Sequence, residues 1–248
     1  MIKTAVILAA GVGSRLSGII KNKPKGFVII DGKPIIEHSV HKLIECGIEK
    51  IILGTGYLAE VYEEFVKDYP QIECIKSSSF VSTGSMCTLY NMRNAIHGDC
   101  LLLESDLLYE KSGLIRLLDD RNENVILASG RTGSGDEVYI EVDEYDNLIN
   151  MSKNSDELNC IHSELVGITK LSAATLQKMC SFFENARRDK PRLDYEYALV
   201  GISGDIKIKV NRIDDYAWCE IDDEQHLDRA LNIVYPRISV KERYDKSF

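Results

Sequence analysis

From residue 27 onward, short apolar runs and segments of helical spacing alternate through the first half of the chain. The periodicity predicts strands at 4–8, 27–30, 51–54, 72–75, 100–104 and 125–129, and helices at 34–46, 59–68, 85–96 and 112–119. Pro34 suits a helix N-terminus, and Cys46-Gly47 supplies a glycine stop. Apolar strands joined by helices bury both faces only in a mostly parallel sheet flanked by helices. Such sheets bind ligands beyond the carboxyl ends of their strands.

The second half changes rhythm. "EVYIEVDEYDNLINMSK" is two alternating strands about a polar turn at 143–147, and "SELVGITKL" is a further strand. Helices are expected at 172–188, 194–200 and 223–235, with strands in "IKIKVNRI" and "YAWCEI". There is no repeat and no low-complexity linker, so one domain over 1–238 is expected, with 131–215 a mixed α/β insert. "SVKERYDKSF", 239–248, is polar and charged and is expected to be a tail or linker.

The first strand runs directly into a loop, "AVILAAGVGSRL", residues 5–16. Gly11 and Gly13 free the backbone for a tight turn whose N–H groups form an anion-binding concavity. Arg15 adds a fork suited to phosphate. Two familiar phosphate loops fail on spacing. A dinucleotide fingerprint needs a third glycine where Leu16 stands, and a Walker A loop needs Gly-Lys-Ser/Thr where Gly13-Ser14-Arg15 stands. A plain turn after a strand remains the competing reading.

Four other stretches point to the same end of the sheet. "KNKPKGF" places Lys21, Lys23 and Lys25 close after the loop, with Pro24 stiffening the approach. "LLLESDLLYE" ends an apolar strand in Glu104-Ser105-Asp106. "AWCEIDDEQHL" ends another in Glu220-Ile221-Asp222-Asp223. Carboxylates at strand ends are oxygen ligands of the kind that suit Mg²⁺ and phosphates, although Asp106, Asp222 or Asp223 would equally cap a helix. "STGSMCTLYNM" opens a helix with Thr83, Gly84 and Ser85, small polar groups beside which a base edge would lie.

Bulk properties exclude other classes. The net charge of −9, from 30 basic and 39 acidic residues, leaves no basic excess to displace counterions from nucleic acid. No apolar run reaches membrane-spanning length and no signal-peptide pattern opens the chain. The seven cysteines are scattered without a C-x-x-C pair, which points to buried thiols in a reducing, cytoplasmic setting and away from a zinc site.

"LAAGVGSRL", "KPKGF" and "LLESD", with "GTGYLAE" at 54–60 and "YAWCEIDD" near the end, resemble the signature of the nucleotidyltransferases that activate sugar phosphates and small alcohol phosphates. Within them the chain is most similar to the small cytidylyltransferases that act on choline phosphate or 2-aminoethylphosphonate. The resemblance implies a Rossmann-like, GT-A-like α/β fold. Residues 1–130 would mainly bind nucleotide and 131–215 mainly bind the acceptor. It implies transfer of CMP from CTP to 2-aminoethylphosphonate with release of pyrophosphate. Choline phosphate or a sugar 1-phosphate is the alternative acceptor. The matching positions would make Lys25, Arg15 and Asp106 catalytic. Leu8, Ala9, Ala10, Gly11, Gly13, Ser14, Thr83, Gly84, Ser85 and Glu104, with Lys25, would bind the nucleotide. Asp106 and Asp222 would hold Mg²⁺. Some proteins of this kind are fused to a C-terminal transaminase, to which the tail would lead; neither nucleic acid nor membrane is an implied partner.

The choice of acceptor turns on residue types. Choline favours an aromatic cage, whereas a primary ammonium wants carboxylates. The second half carries Asp136, Glu137, Glu164, Asp194 and Glu196 but only one tryptophan, Trp218. Tyr195 and Tyr197 keep the cage open as a reading. Lone charges usually sit on a solvated surface. Lys153, Glu164, Asp194 and Tyr195 are the expected acceptor contacts, Lys153 for the phosphonate. A non-catalytic relative would be expected to lack Lys25, Asp106 or Asp222, and all three are present.

Overall fold

The computed structural model describes residues 2–245 apart from 17, 19 and 21. Lys21 of the expected lysine cluster, and 246–248 of the expected tail, lie outside the described residues. The strands are β1 (Thr4–Ala9), β2 (Ile29–Ile30), β3 (Lys33–Pro34), β4 (Lys50–Thr55), β5 (Ile72–Lys76), β6 (Cys100–Glu104), β7 (Leu107–Tyr109), β8 (Val125–Ser129), β9 (Tyr139–Val142), β10 (Leu148–Ser152), β11 (Ser163–Leu171), β12 (Lys209–Ile213) and β13 (Trp218–Glu220). The helices are α1 (Ile35–Glu45), α2 (Ala59–Phe65), α3 (Ser85–Met92), α4 (Ser112–Asp119), α5 (Ala173–Ala186), α6 (Tyr195–Ser203), α7 (Glu224–Arg229) and α8 (Tyr235–Asp245).

β1, β4, β5 and β6 form the parallel centre of a nine-stranded sheet ordered β10-β9-β11-β6-β1-β4-β5, with β8 on the other edge of β11 and β12 beyond it. Successive side chains of a strand face opposite ways, and both faces here are buried. Val6 and Leu8 of β1 join the cluster packed under α3, α5 and α6. Ala5, Ile7 and Ala9 join the one under α1 and α4.

β11 runs antiparallel to β6, β8 and β9. Its pairing with β8 shifts register between Leu165 and Thr169, at Gly167, whose φ of 83° favours glycine. Beyond that point β11 leaves β6, ending with the Ile168–Leu103 pair, and takes up β9 at Ser163 and Glu164. The fork opens space directly beyond the carboxyl end of β6.

Three expectations are corrected. Residues 27–30 do not join the main sheet: Lys25–Phe27 is a 3₁₀ turn, and β2 pairs only with β3 across a tight turn at Asp31-Gly32. The N–H groups of Phe27 and Val28 donate back to Pro24 O and Lys25 O, so they are not free to join a ladder. The closing helix is broken into α7, a π turn at Ala230–Val234, and α8. As far as Asp245 the expected tail is part of α8, because Ile238 is buried in the core and Glu242 accepts from Lys42 Nζ and Lys111 N, each at 2.8 Å. Among the described residues no helix is long and apolar enough to cross a membrane, and all seven cysteines are free thiols.

Candidate active site

A cleft of about 360 Å³ lies beyond the carboxyl ends of β1 and β6. β1 delivers Leu8, Ala9, Ala10 and Gly11 to its wall, and the loop continues through Gly13 into a 3₁₀ turn at Ser14–Leu16. Gly13 has φ of 61° and lies against Lys25. Pro24 starts the 3₁₀ turn that turns Lys25 back toward the strand ends. There Lys25 Nζ donates to Asp106 Oδ2 at 3.0 Å and to Asp222 Oδ1. Backbone bonds fix the two acid-bearing segments side by side. Ser105 N donates to Leu8 O, and Ile221 N donates to Asp106 O.

The charges continue outward as an alternating chain. Arg15 Nη2 donates to Asp222 Oδ2 at 2.9 Å and to Asp136 Oδ2 at 3.0 Å, and Lys153 Nζ donates to Asp136 Oδ1 at 2.8 Å. Burial by itself would lower the Lys25 pKa, but the charges of Asp106 and Glu220 outweigh it and the net shift is upward. Lys25 is thus held as a cation at the strand ends.

Beneath this chain Glu104, Asp106 and Glu220 bring carboxylate oxygens within 4.8 Å of one another. Burial, then repulsion from Glu220 and Asp106, pushes Glu104 well above the usual carboxylate range. Burial and Asp106 push Glu220 up to about 7. Hard oxygen donors crowded in mutual repulsion fit a divalent cation such as Mg²⁺, which would relieve it. The expected metal pair was Asp106 with Asp222. Asp106 stands in this trio, and Asp222 stands beside it in ion pairs with Lys25 and Arg15. Glu220 was missed, although its i, i+2 spacing to Asp222 at a strand end was a readable sign of a shared face.

On the far wall Ser85, at the start of α3, donates from N and Oγ to Asp194 Oδ1 at 2.9 and 3.1 Å, and receives Tyr195 N on Oγ. Asp194 therefore positions Ser85 while lining the cleft. Tyr195 is buried and its hydroxyl donates to Glu104 Oε1 at 2.7 Å. Thr83, Gly84 and Lys153 also line the cleft. Glu164 stands outside the lining: its Oε2 accepts from Thr132 N at 2.8 Å and anchors the 130–138 loop. Tyr197 is exposed and outside the lining too, whereas Trp218 lines it.

Glu196 was not among the expected contacts. It lines the cleft, and its Oε2 is buried with no hydrogen-bond partner among the described residues. Burial and then the neighbouring Asp194 push it up to about 7. A buried carboxylate oxygen without a donor is costly and invites a cationic ligand.

The family model described as MobA-like NTP transferase domain matches residues 5–157. The protein named Bifunctional protein GlmU of Methanococcus maripaludis is 43% identical over 108 residues, 44% of this chain and 26% of that protein. The chain thus spans about a quarter of the length of the first curated relatives it matches. The 2-aminoethylphosphonate cytidylyltransferase of Lancefieldella rimae is 23% identical over 189 residues, 75% of this chain and 73% of that protein. The inositol-1-phosphate CTP transferase from T. maritima superposes with a TM-score of 0.81 at 18% identity, over 96% of this chain and 95% of that one, a likeness of fold.

Proposed function

The chain belongs to the MobA-like NTP transferase family and has the GT-A-like fold of nucleotidyltransferases, and on that premise we propose that it is a cytoplasmic, Mg²⁺-dependent cytidylyltransferase that moves CMP from CTP to 2-aminoethylphosphonate. The observation that carries the acceptor reading is the buried, unpartnered Glu196 Oε2 in the cleft wall. A primary ammonium offers donors that such an oxygen lacks.

In this reading an ionised oxygen of the acceptor attacks the α-phosphorus of CTP. The new O–P bond forms as the bond to the β-phosphate's bridging oxygen breaks, and pyrophosphate leaves with that electron pair. No protein base is required, because the phosphonate is already ionised at neutral pH. Backbone N–H groups between Leu8 and Gly13 hold phosphate oxygens. Arg15 exchanges its carboxylate partners for the departing phosphates. Lys25 places its charge against the α-phosphoryl group as negative charge develops there. Thr83, Gly84 and Ser85 face the base. Asp106 and Asp222 would hold the metal, with Glu220 a third carboxylate in reach of Asp106, and the ion when bound would supply charge neutralisation on phosphate oxygens.

Choline phosphate is the second reading, favoured by Trp218 and Tyr195 in the same wall. The test is pyrophosphate release from CTP, UTP, ATP and GTP against 2-aminoethylphosphonate, choline phosphate and sugar 1-phosphates. Fastest turnover with CTP and the aminophosphonate is expected. A preference for choline phosphate overturns the acceptor and leaves the nucleotide; a preference for another nucleotide overturns the cytidylyl reading and leaves the acceptor.

A further inference from the structure

The loop at 130–138 lines the cleft through Ser134, Asp136, Glu137 and Val138, and its Asp136 is the acid that holds Arg15 and Lys153. It is tied down at Thr132 by Glu164. Its middle, Ser134, meets a residue from the opposite end of the chain. The carbonyl of Ser134 lies 3.2 Å from His226 Nε2.

His226 sits in the first turn of α7 and is 7% exposed. Three bonds determine its place. Its backbone N–H donates to Asp223 Oδ1 at 2.9 Å, which caps the helix. Its ring Nδ1 accepts from Asp222 N at 3.4 Å. Its Nε2 faces the Ser134 carbonyl. A backbone N–H can only donate and a carbonyl can only accept. The partners therefore require the neutral ring with its proton on Nε2. One imidazole thus joins the backbone of Asp222, which Lys25 and Arg15 grip, to the loop whose Asp136 holds the other side of Arg15.

We propose that His226 is a positioning residue, with Nδ1 setting Asp222 and Nε2–H holding the 130–138 loop closed over the phosphate end of the cleft. The two ring nitrogens have separable tasks. Asn in this place keeps an acceptor near the Nδ1 position but does not reach Ser134. Gln reaches Ser134 with an amide donor but offers Asp222 N no acceptor. Phe keeps the ring volume and neither bond.

The test has two arms. Trypsin cleavage after Arg131, which is exposed, reads the hold on the loop and needs no activity. His226→Phe is expected to raise that rate about fivefold, the equivalent of losing one hydrogen bond. His226→Gln returns it toward the parent and His226→Asn does not. Cleavage after Arg192, also exposed, serves as the control and stays constant. The kinetic arm rests on the nucleotidyl-transfer reading. There His226→Asn keeps kcat near the parent and raises KM for CTP, because Arg15 loses its fixed partner, and His226→Gln does the reverse. The proposal is overturned if His226→Phe matches the parent in both arms, or if the Asn and Gln variants behave alike. Should the Phe variant fail to fold, the Asn and Gln pair decides. A parent inactive with every nucleotide sinks the functional reading, while the cleavage pattern still decides the role of His226.

Discussion

Gly13 and Lys25 are packed so closely that a Cβ at position 13 would stand 2.5 Å from Lys25 Cγ. That atom lies near the root of the lysine side chain, so the whole chain would have to swing, taking Nζ away from Asp106 and Asp222. The glycine of the first loop and the lysine of the second are one device.

Gly13→Ala is therefore expected to lower kcat by about tenfold or more through Lys25, on the scale of a misplaced charge contact. A double-mutant cycle checks this. In a Lys25→Ala background the added effect of Gly13→Ala on kcat should shrink to within about twofold, as coupled neighbours require. An undiminished effect in both backgrounds would mean that Gly13 acts independently of Lys25.

Lys25→Ala itself should lower kcat roughly a hundredfold or more, the usual loss for one preorganised charge aimed at the reacting group. Lys23→Ala, at an exposed position in the same stretch, should leave kcat within about twofold, since isolated surface charges contribute little. Comparable losses at both positions would indicate a diffuse positive field in place of one aimed lysine.

The acidic trio makes a prediction that needs no turnover. Mg²⁺ at about 100 times its Kd should stabilise the fold by about 2.7 kcal/mol, a shift of several degrees in Tm. Asp106→Asn should abolish that shift. Identical melting curves with Mg²⁺ and with EDTA would remove the metal site.

Glu196 gives a pH signature whose sign follows from its raised pKa. Its carboxyl titrates at about 7 in the fold and at the ordinary value of 4.5 when unfolded. Between those values the native state binds more protons, so this group's contribution to stability falls as pH rises. Glu196→Gln should therefore melt close to the parent near pH 4.5 and exceed it at pH 8, by an upper estimate of about 3 kcal/mol. A gap that stays constant from pH 4.5 to 8 would show that the buried charge is not its source.

The same substitution should reduce kcat/KM for 2-aminoethylphosphonate about tenfold or more, since one charge-assisted hydrogen bond contributes about 1.5–3 kcal/mol. Choline phosphate has no N–H to donate and should be affected less. Equal losses for the two acceptors would argue against an ammonium contact at Glu196.

Short-range pattern was enough to determine the parallel centre of the sheet, because the continuous apolar runs of β1, β4 and β6, buried on both faces, are a property of neighbouring residues. The glycine loop, Asp106 and Asp222 were legible as candidates because each lies within a few residues of the carboxyl end of a strand, where such sheets expose their ligand groups, whereas Lys25 was legible only from its motif. Residues 27–30 misled, because an apolar run says nothing of whether its N–H groups are free to join a ladder, and those of Phe27 and Val28 are used in the turn that precedes β2. The rest depended on distance along the chain. Lys25 meets Asp222 across 197 residues, Arg15 meets Asp136 across 121, and His226 meets Ser134 across 92. Glu164 and Glu196 look alike as acids in an insert. Only the fork of β11 at Gly167 and the docking of α6 on the cleft decide that one anchors a loop and the other lines the wall with a buried Oε2 that has no hydrogen-bond partner among the described residues. Such assignments follow from which strands cross and where the sheet splits, and those are set by packing among segments far apart in sequence.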